Sequence, residues 1–186
     1  MIIEPKQVPP WRDFNFAEET QNRRVWMLVP KCASTSIRRS IPTLVQVKRE
    51  HVNKYKYRVG VIRHPVFRII SAHNYGWPEI PIREWWEHVL YNPSWDIHTT
   101  PYAEILEPEV NIYLCVEDIV SWWRRWSPYK LQHHNSSQPS SIANMNIWLG
   151  LAPEIRDVYA DDMRMWEETK KSFAYHQRRG EYTRGY

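Results

Sequence analysis

A lysine and three hydroxyl residues stand close together early in the chain, in the segment VPKCASTSI over Val29–Ile37. Lys31 follows an apolar run that is typical of a buried strand. Ser34, Thr35 and Ser36 come where a helix is expected to begin. The first N–H groups of a helix lack intrahelical partners and attract anions, so a lysine beside them favours binding of a phosphate or sulfate group. The alternative is that Ser34 only caps the helix.

A second segment, VIRHPVFRIISAHNY over Val61–Tyr75, has a similar layout. Arg63 ends a predicted strand, Pro65 suits the first position of a helix, and Ser71 lies two turns along that helix. An arginine in this place can hold a phosphate through two parallel hydrogen bonds. The alternatives are that Arg68 forms only a surface ion pair and that Ser71 bonds only within its own helix.

Predicted strands and helices alternate along the chain, which indicates an α/β domain with a parallel sheet. The strands are predicted over 25–29, 45–47, 57–62 and 111–116. Ligands of such sheets bind at the edge where the strands end. The two segments therefore predict neighbouring anion sites and a ligand that carries two separated phosphates.

The rest of the chain is assigned from the spacing of its apolar residues and from its turn residues. Helices are predicted over 65–75, 81–90, 119–126 and 153–175, and loops over 91–108 and 127–144. We expect one domain over 1–186, with a surface arm at 1–23 and a flexible tail at 176–186.

Composition and charge set broad limits. The 186 residues carry a formal net charge of +4, which suits a polyanionic small ligand, nucleic acid or simply a solvated basic surface. Cys32 and Cys115 lie in apolar contexts without metal-ligand spacing, so neither a disulfide framework nor a metal site is predicted. No apolar leader or membrane-length run is present, so we expect a soluble cytoplasmic protein without a membrane partner.

Together the two segments resemble the sulfotransferases that use 3′-phosphoadenosine 5′-phosphosulfate (PAPS). The first resembles that family's PKxGxTS loop, which grips the 5′-phosphosulfate, and the second resembles its RxPxxRxxSxxxY segment, which grips the 3′-phosphate. The resemblance implies a P-loop-like parallel sheet flanked by helices, of the sulfotransferase type. The residues implied for the 5′ side are Lys31, Cys32, Ala33, Ser34, Thr35 and Ser36, and those for the 3′-phosphate are Arg63 and Ser71.

Weaker likenesses continue to about residue 168, in the order that the family has. The segment WDIHTTPYAEIL over Trp95–Leu106 resembles the D-x-H-x-x-P-Q region of carbohydrate sulfotransferases, and NIYLCVEDI over Asn111–Ile119 resembles their strand ending in Glu-Asp. Two residues depart from the family pattern: Ala33 replaces the usual glycine, and Tyr102 stands where the family usually has glutamine. The chain is also shorter than most members, which implies reduced acceptor-binding elements.

The resemblance implies a reaction in which an acceptor hydroxyl attacks sulfur and adenosine 3′,5′-bisphosphate leaves. Lys31 would stabilise the charge that develops on the bridging oxygen, and a base would take the acceptor's proton. His51 is favoured as the base, because some glycan sulfotransferases place a catalytic histidine between the two motifs. His98, in the D-x-H stretch, and Glu50 are the alternatives. No metal is required.

A carbohydrate hydroxyl is the expected acceptor, because the downstream likeness is to glycan sulfotransferases. The residues that could stack on sugar rings, or equally form core, are Trp77, Trp85, Trp86 and Trp95.

Trp122–Trp126 interleave tryptophan with arginine as a nucleic-acid-binding module could, although helix packing with outward arginines explains them without a nucleic-acid partner. A phosphoryl-transfer enzyme would need the glycine loop that is missing here. A non-catalytic relative would lack the motif lysine, arginine or serine, all of which are present.

Overall fold

A computed structural model describes residues 16–20, 23–106, 110–132 and 141–179. Helices flank a five-stranded sheet with the strand order β3-β1-β2-β4-β5. The strands are β1 (Phe16–Glu19), β2 (Arg24–Met27), β3 (Leu44–Gln46), β4 (Tyr57–Ile62) and β5 (Ile112–Cys115). The α-helices are α1 (Ser34–Ser40), α2 (Pro65–Gly76), α3 (Ile82–Tyr91), α4 (Tyr102–Leu106), α5 (Ile119–Trp126), α6 (Ile142–Val158) and α7 (Ala160–Arg179). Short 3-10 helices cover Arg49–Lys54 and Val116–Asp118.

The sheet is mixed rather than parallel. The predicted parallel arrangement is wrong for the side of the sheet that contains β1 and β3. Strands β2, β4 and β5 are parallel, with Met27 opposite Gly60 and Ile62 opposite Cys115. Strand β1 is antiparallel to both β2 and β3, and it lies within the segment predicted as a surface arm. The carboxyl ends of β2 and β4, which precede the two motifs, therefore share one edge of the sheet.

Several boundaries differ from those predicted. The predicted loop over 91–108 contains α4, and α6 begins at Ile142, inside the other predicted loop. Pro153 lies within α6 instead of starting a helix, and Ser141 caps α6 by accepting a hydrogen bond from the N–H of Asn144 at 3.2 Å. The chain leaves helical geometry at Tyr159 before α7 begins, so one predicted helix is two. Residues 1–15, 21 and 22 of the predicted arm and 180–186 of the predicted tail lie outside the described residues, and 176–179 of that tail continue α7.

Two apolar clusters hold these layers together. The first surrounds the sheet and includes Trp26, Trp122 and Trp123. The second joins α2, α3 and α6. Its buried tryptophans are Trp77, Trp85, Trp86 and Trp148, and Trp95 packs against it partly buried. Of the tryptophans considered as sugar platforms, three are thus core residues. Among the described helices, none is both long and apolar enough to cross a membrane.

Candidate functional site

Lys31 and Arg63 meet at the carboxyl edge of the sheet. Lys31 lies in the turn between β2 and α1, and Arg63 directly follows β4. The Nη1 group of Arg63 donates a hydrogen bond to the backbone carbonyl of Lys31 at 3.4 Å. The structure therefore brings together the two cations that the sequence assigned to separate anion sites.

The turn that carries Lys31 has an unusual backbone. Lys31 and Ala33 have φ values of 64° and 60°, in the left-handed region that a side chain disfavours by about 1–2 kcal/mol per residue. Ala33 occupies the N-cap of α1 and provides no side-chain cap, so the alternative in which Ser34 caps the helix is wrong. The amide of Ile37 bonds the carbonyl of Ala33 at 3.0 Å, which starts the helix at the predicted place. Ala33 therefore has a left-handed backbone conformation that glycine adopts more readily than alanine.

Tyr102 connects the two motif loops from beneath. Its hydroxyl donates to the carbonyl of Arg63 at 2.6 Å and accepts from the amide of Arg63 at 2.9 Å. The same hydroxyl lies 3.4 Å from Sγ of Cys32. Burial raises the pKa values of the Cys32 thiol and the Tyr102 hydroxyl, so both stay neutral and bond as dipoles. Tyr102 therefore connects the loop that carries Arg63 to the loop that carries Cys32.

The charge of Lys31 is poorly compensated. Burial and, secondarily, the nearby Arg63 guanidinium lower the pKa of Lys31 to about 8. The Nζ atom of Lys31 lies 3.3 Å from the centre of the Tyr75 ring, a cation–π contact. Within the part of the chain that the structure describes, no carboxylate lies within ion-pair distance of Lys31 or Arg63. The contact that the structure gives to the Lys31 ammonium is thus an aromatic ring and not a carboxylate.

The hydroxyl residues of the motifs lie on the two helices that follow Lys31 and Arg63 in the chain. Ser34 and Thr35 are partly exposed in the first turn of α1, and Ser36 is buried there. Ser71 is buried on α2, eight residues after Arg63. Both helices begin at the sheet edge where Lys31 and Arg63 lie, and at the start of α2 the amide of His64 donates to the Glu117 carboxylate at 2.8 Å.

Arg68 is a core residue, and its predicted alternative as a surface ion pair is wrong. Only 1% of Arg68 is exposed. Its guanidinium donates to the carbonyls of Thr100 at 2.6 Å and Ile97 at 3.1 Å, and it lies 4.7 Å from the centre of the Tyr102 ring. Arg68 therefore fixes the loop that carries His98 and supports the tyrosine under the motif loops.

His98 forms a buried pair with Asp96. Nδ1 of His98 lies 2.6 Å from Oδ1 of Asp96, and because a carboxylate only accepts, Nδ1 carries the hydrogen. The Asp96 carbonyl in turn accepts from the amides and hydroxyls of Thr99 and Thr100. This arrangement leaves Nε2 of His98 as the basic nitrogen. The His98 ring lies 5.4 Å from the Tyr75 ring, which links it to Lys31 through one side chain.

His51 lies on a different element, the 3-10 helix over Arg49–Lys54. About half of its side chain is exposed. Its nearest polar partners are Nζ of Lys54 at 3.3 Å and the Glu50 carboxylate at 3.7 Å. The contacts that the structure gives therefore join His98, rather than the favoured His51, to the lysine. Among the described residues, no three His, Cys, Asp or Glu side chains are grouped as metal ligands would be.

The described tryptophans of the Trp122–Trp126 segment are not available for stacking on bases. Trp122 and Trp123 are buried and lie 6.2 and 6.1 Å from the ring of Trp26. Their indole N–H groups donate to the carbonyls of Cys115 and Tyr129. The side chains of Arg125 and Trp126 lie outside the described residues. Two of the three tryptophans in the alternative nucleic-acid-binding surface, Trp122 and Trp123, are therefore core residues.

Asp162 is a buried carboxyl group beneath the site, and its titration should be visible in stability. Its Oδ1 accepts from the amide of Tyr102 at 2.8 Å, while Oδ2 is buried without a partner among the described groups. Burial raises the pKa of Asp162 to about 7. Between about pH 4 and 7 the folded state therefore keeps a proton that the unfolded state has released, and the contribution of Asp162 to stability falls as pH rises.

We expect Asp162→Asn to gain stability relative to the wild type as pH rises through this window, because asparagine retains the acceptor and cannot ionise. Urea unfolding of both proteins at pH 5 and pH 8 measures the difference. A difference in unfolding free energy that is the same at both pH values would show that Asp162 does not titrate there.

The sequence assigned no role to four residues that shape this site, namely Tyr75, Asp96, Tyr102 and Asp162. Tyr75 matches the final tyrosine of the RxPxxRxxSxxxY pattern, and Asp96 matches the first residue of the D-x-H stretch, so a signal existed for both. Tyr102 was noted only as a departure from the family pattern. Asp162 lies in VYADDMRMW over Val158–Trp166, which resembles the Tyr-x-x-Asp-x-x-x-Tyr helix of carbohydrate sulfotransferases, so a signal existed for it as well. Its contact with Tyr102 depends on α7 reaching α4.

No protein-family model matches the chain, and searches of the curated proteins and of the solved structures found no match. The chemistry of the site therefore carries the functional proposal.

Proposed function

We propose that the protein transfers a sulfuryl group from PAPS to an acceptor hydroxyl. The observation that supports it most directly is the pair of cations at one sheet edge, Lys31 and Arg63, with no carboxylate partner among the described residues. A ligand with a 5′-phosphosulfate and a 3′-phosphate provides two anions for two such groups. The carbohydrate nature of the acceptor rests on the motif resemblance.

The reaction is an in-line displacement at sulfur. The acceptor oxygen forms a bond to sulfur while the bond from sulfur to the bridging phosphate oxygen breaks, and adenosine 3′,5′-bisphosphate leaves. Lys31 interacts with the negative charge that grows on the bridging oxygen, and its ammonium form predominates at neutral pH. Arg63 and Ser71 hold the 3′-phosphate, which orients the nucleotide for the transfer.

We assign the general base to His98, with His51 as the alternative. The Asp96 carboxylate fixes Nδ1 of His98 in its protonated form, and this leaves Nε2 to accept the acceptor's proton. The Tyr75 ring contacts both the His98 ring and Nζ of Lys31, whereas the contacts of the His51 ring are with Lys54 and Glu50 on its own 3-10 helix. After the transfer, the proton resides on His98 and the sulfuryl group on the acceptor oxygen.

Calorimetric titration without magnesium tests the nucleotide assignment. We expect adenosine 3′,5′-bisphosphate to bind the wild type tightly and 5′-AMP to bind weakly. We expect Arg63→Ala to reduce the affinity for the bisphosphate about 10- to 100-fold, because charge-assisted hydrogen bonds contribute about 1.5–3 kcal/mol. The affinity for 5′-AMP should change little.

Arg83→Ala is the matched control, since Arg83 is an exposed arginine on α3. It should retain the wild-type preference for the bisphosphate. Equal binding of the two nucleotides by the wild type would reject the proposed function. A requirement for magnesium would favour a phosphoryl-transfer enzyme instead.

A further inference from the structure

Tyr75 occupies a central place in the site although neither proposed chemical step uses it. It lies in the last turn of α2, and 63% of it is exposed. Its ring centre is 3.3 Å from Nζ of Lys31 and 5.4 Å from the centre of the His98 ring. One exposed side chain therefore contacts both the cation and the base of the proposed reaction.

His98 is covered in the structure, with only 5% of the residue exposed. Trp77 lies 6.4 Å from it and belongs to the buried core, where it also contacts Trp85 and Trp95. Among the described residues, Tyr75 is the other aromatic side chain in contact with His98, and most of it is exposed to solvent. Rotation of the Tyr75 side chain would thus expose His98 and leave the core packing intact. Movement of Trp77 would break that packing.

We propose that Tyr75 is a gate residue, whose ring covers the Lys31 ammonium and the His98 imidazole in the free protein and turns away when an anion binds Lys31. The identity of the anion rests on the proposed function, but the contacts of the Tyr75 ring with Lys31 and His98 do not depend on it. The exchange is favourable because a hydrogen bond between an ammonium and a phosphate or sulfate oxygen is stronger than a cation–π contact in an exposed place.

Binding measurements give the first test. Tyr75→Ala removes the ring, and Tyr75→Phe keeps the ring and its contact with Lys31. We expect Tyr75→Ala to bind adenosine 3′,5′-bisphosphate about fivefold more tightly than the wild type, and Tyr75→Phe to bind as the wild type does. Unchanged or weaker binding by Tyr75→Ala would overturn the gate, and weaker binding would make Tyr75 a support for Lys31 instead.

Chemical labelling of the free protein gives a test that does not depend on the nucleotide. Reductive methylation with formaldehyde and cyanoborohydride, followed by mass spectrometry, reports the access of reagent to Lys31. We expect Lys31 to be methylated several-fold faster in Tyr75→Ala than in the wild type or Tyr75→Phe. The control is Tyr91→Ala, which removes a tyrosine that is 94% exposed on α3 and should leave the rate unchanged.

The two measurements separate the gate from the proposed function. If the wild type and all variants fail to bind the bisphosphate, the proposed function fails, and faster methylation in Tyr75→Ala still supports the gate. Equal methylation rates in Tyr75→Ala and the wild type overturn the gate whatever the nucleotide does. Since Tyr75 is mostly exposed, thermal unfolding should show that Tyr75→Ala is folded.

Discussion

Replacing Lys31 with alanine is expected to lower turnover at least about 100-fold, while the affinity for adenosine 3′,5′-bisphosphate falls much less. In the proposed transfer, the ammonium would interact most strongly with charge that appears on the bridging oxygen only as the sulfur–oxygen bond breaks. Removing a single donor to such charge in other enzymes costs about 10²–10³ in rate. Transfer of radiolabelled sulfate from PAPS to a panel of desulfated glycans measures turnover, and calorimetry measures affinity.

Lys56→Ala is the matched control for this substitution. Lys56 also lies over a tyrosine ring, at 5.1 Å from the centre of Tyr57, but at the opposite end of β4 from Arg63. It should retain wild-type turnover. If both variants lost the same fraction of activity, the loss would reflect general charge or stability and not a role for Lys31 in the transfer.

Replacing Arg68 with alanine is expected to reduce the free energy of unfolding by about 3–5 kcal/mol. The substitution leaves the carbonyls of Ile97 and Thr100 without their donors and opens a cavity beside Tyr102. Breaking one side of a buried charged network carries a cost of this size. Urea unfolding followed by tryptophan fluorescence measures it, because the two apolar clusters contain buried tryptophans.

Arg164→Ala gives the comparison for an arginine outside the core. Arg164 pairs with Asp161 at 2.8 Å, and both side chains are about 70% exposed. Such a surface pair contributes at most about 1 kcal/mol. A loss of stability in Arg68→Ala as small as that in Arg164→Ala would contradict the structural role of Arg68.

The strands and helices that the sequence predicted well have strong local signals. Strand β4 covers the predicted 57–62, and α2 begins at Pro65, because a run of β-branched residues and a proline each fix the local backbone. Strand β1 was missed because its sequence, FAEE, ends in two acidic residues. Glu19 is nevertheless fully buried, since it accepts a hydrogen bond from Nε1 of Trp26 and lies 3.9 Å from Arg24.

The sequence predicts those residues of the candidate site that directly follow the ends of strands. It does not predict those whose place depends on contacts between residues far apart in the chain. The parallel pairing of β2 with β4 accounts for the meeting of Lys31 and Arg63, and the sequence indicated it. The bond between Arg63 and Tyr102 spans 39 positions, and α4 had been predicted as loop. A surface ion pair was an alternative for Arg68 because arginine is rarely buried, and the carbonyls of a distant loop explain why it is buried here.

The left-handed backbone at Ala33 restricts which substitutions this turn could accept during evolution. Glycine fits there without strain, asparagine and aspartate fit at small cost, and valine, isoleucine or threonine would crowd the backbone. Alanine lies one codon change from glycine, so the turn can drift between the two while its geometry is kept. A pattern that requires glycine at this position excludes a chain with Ala33, whereas a pattern that requires the left-handed backbone angle includes it.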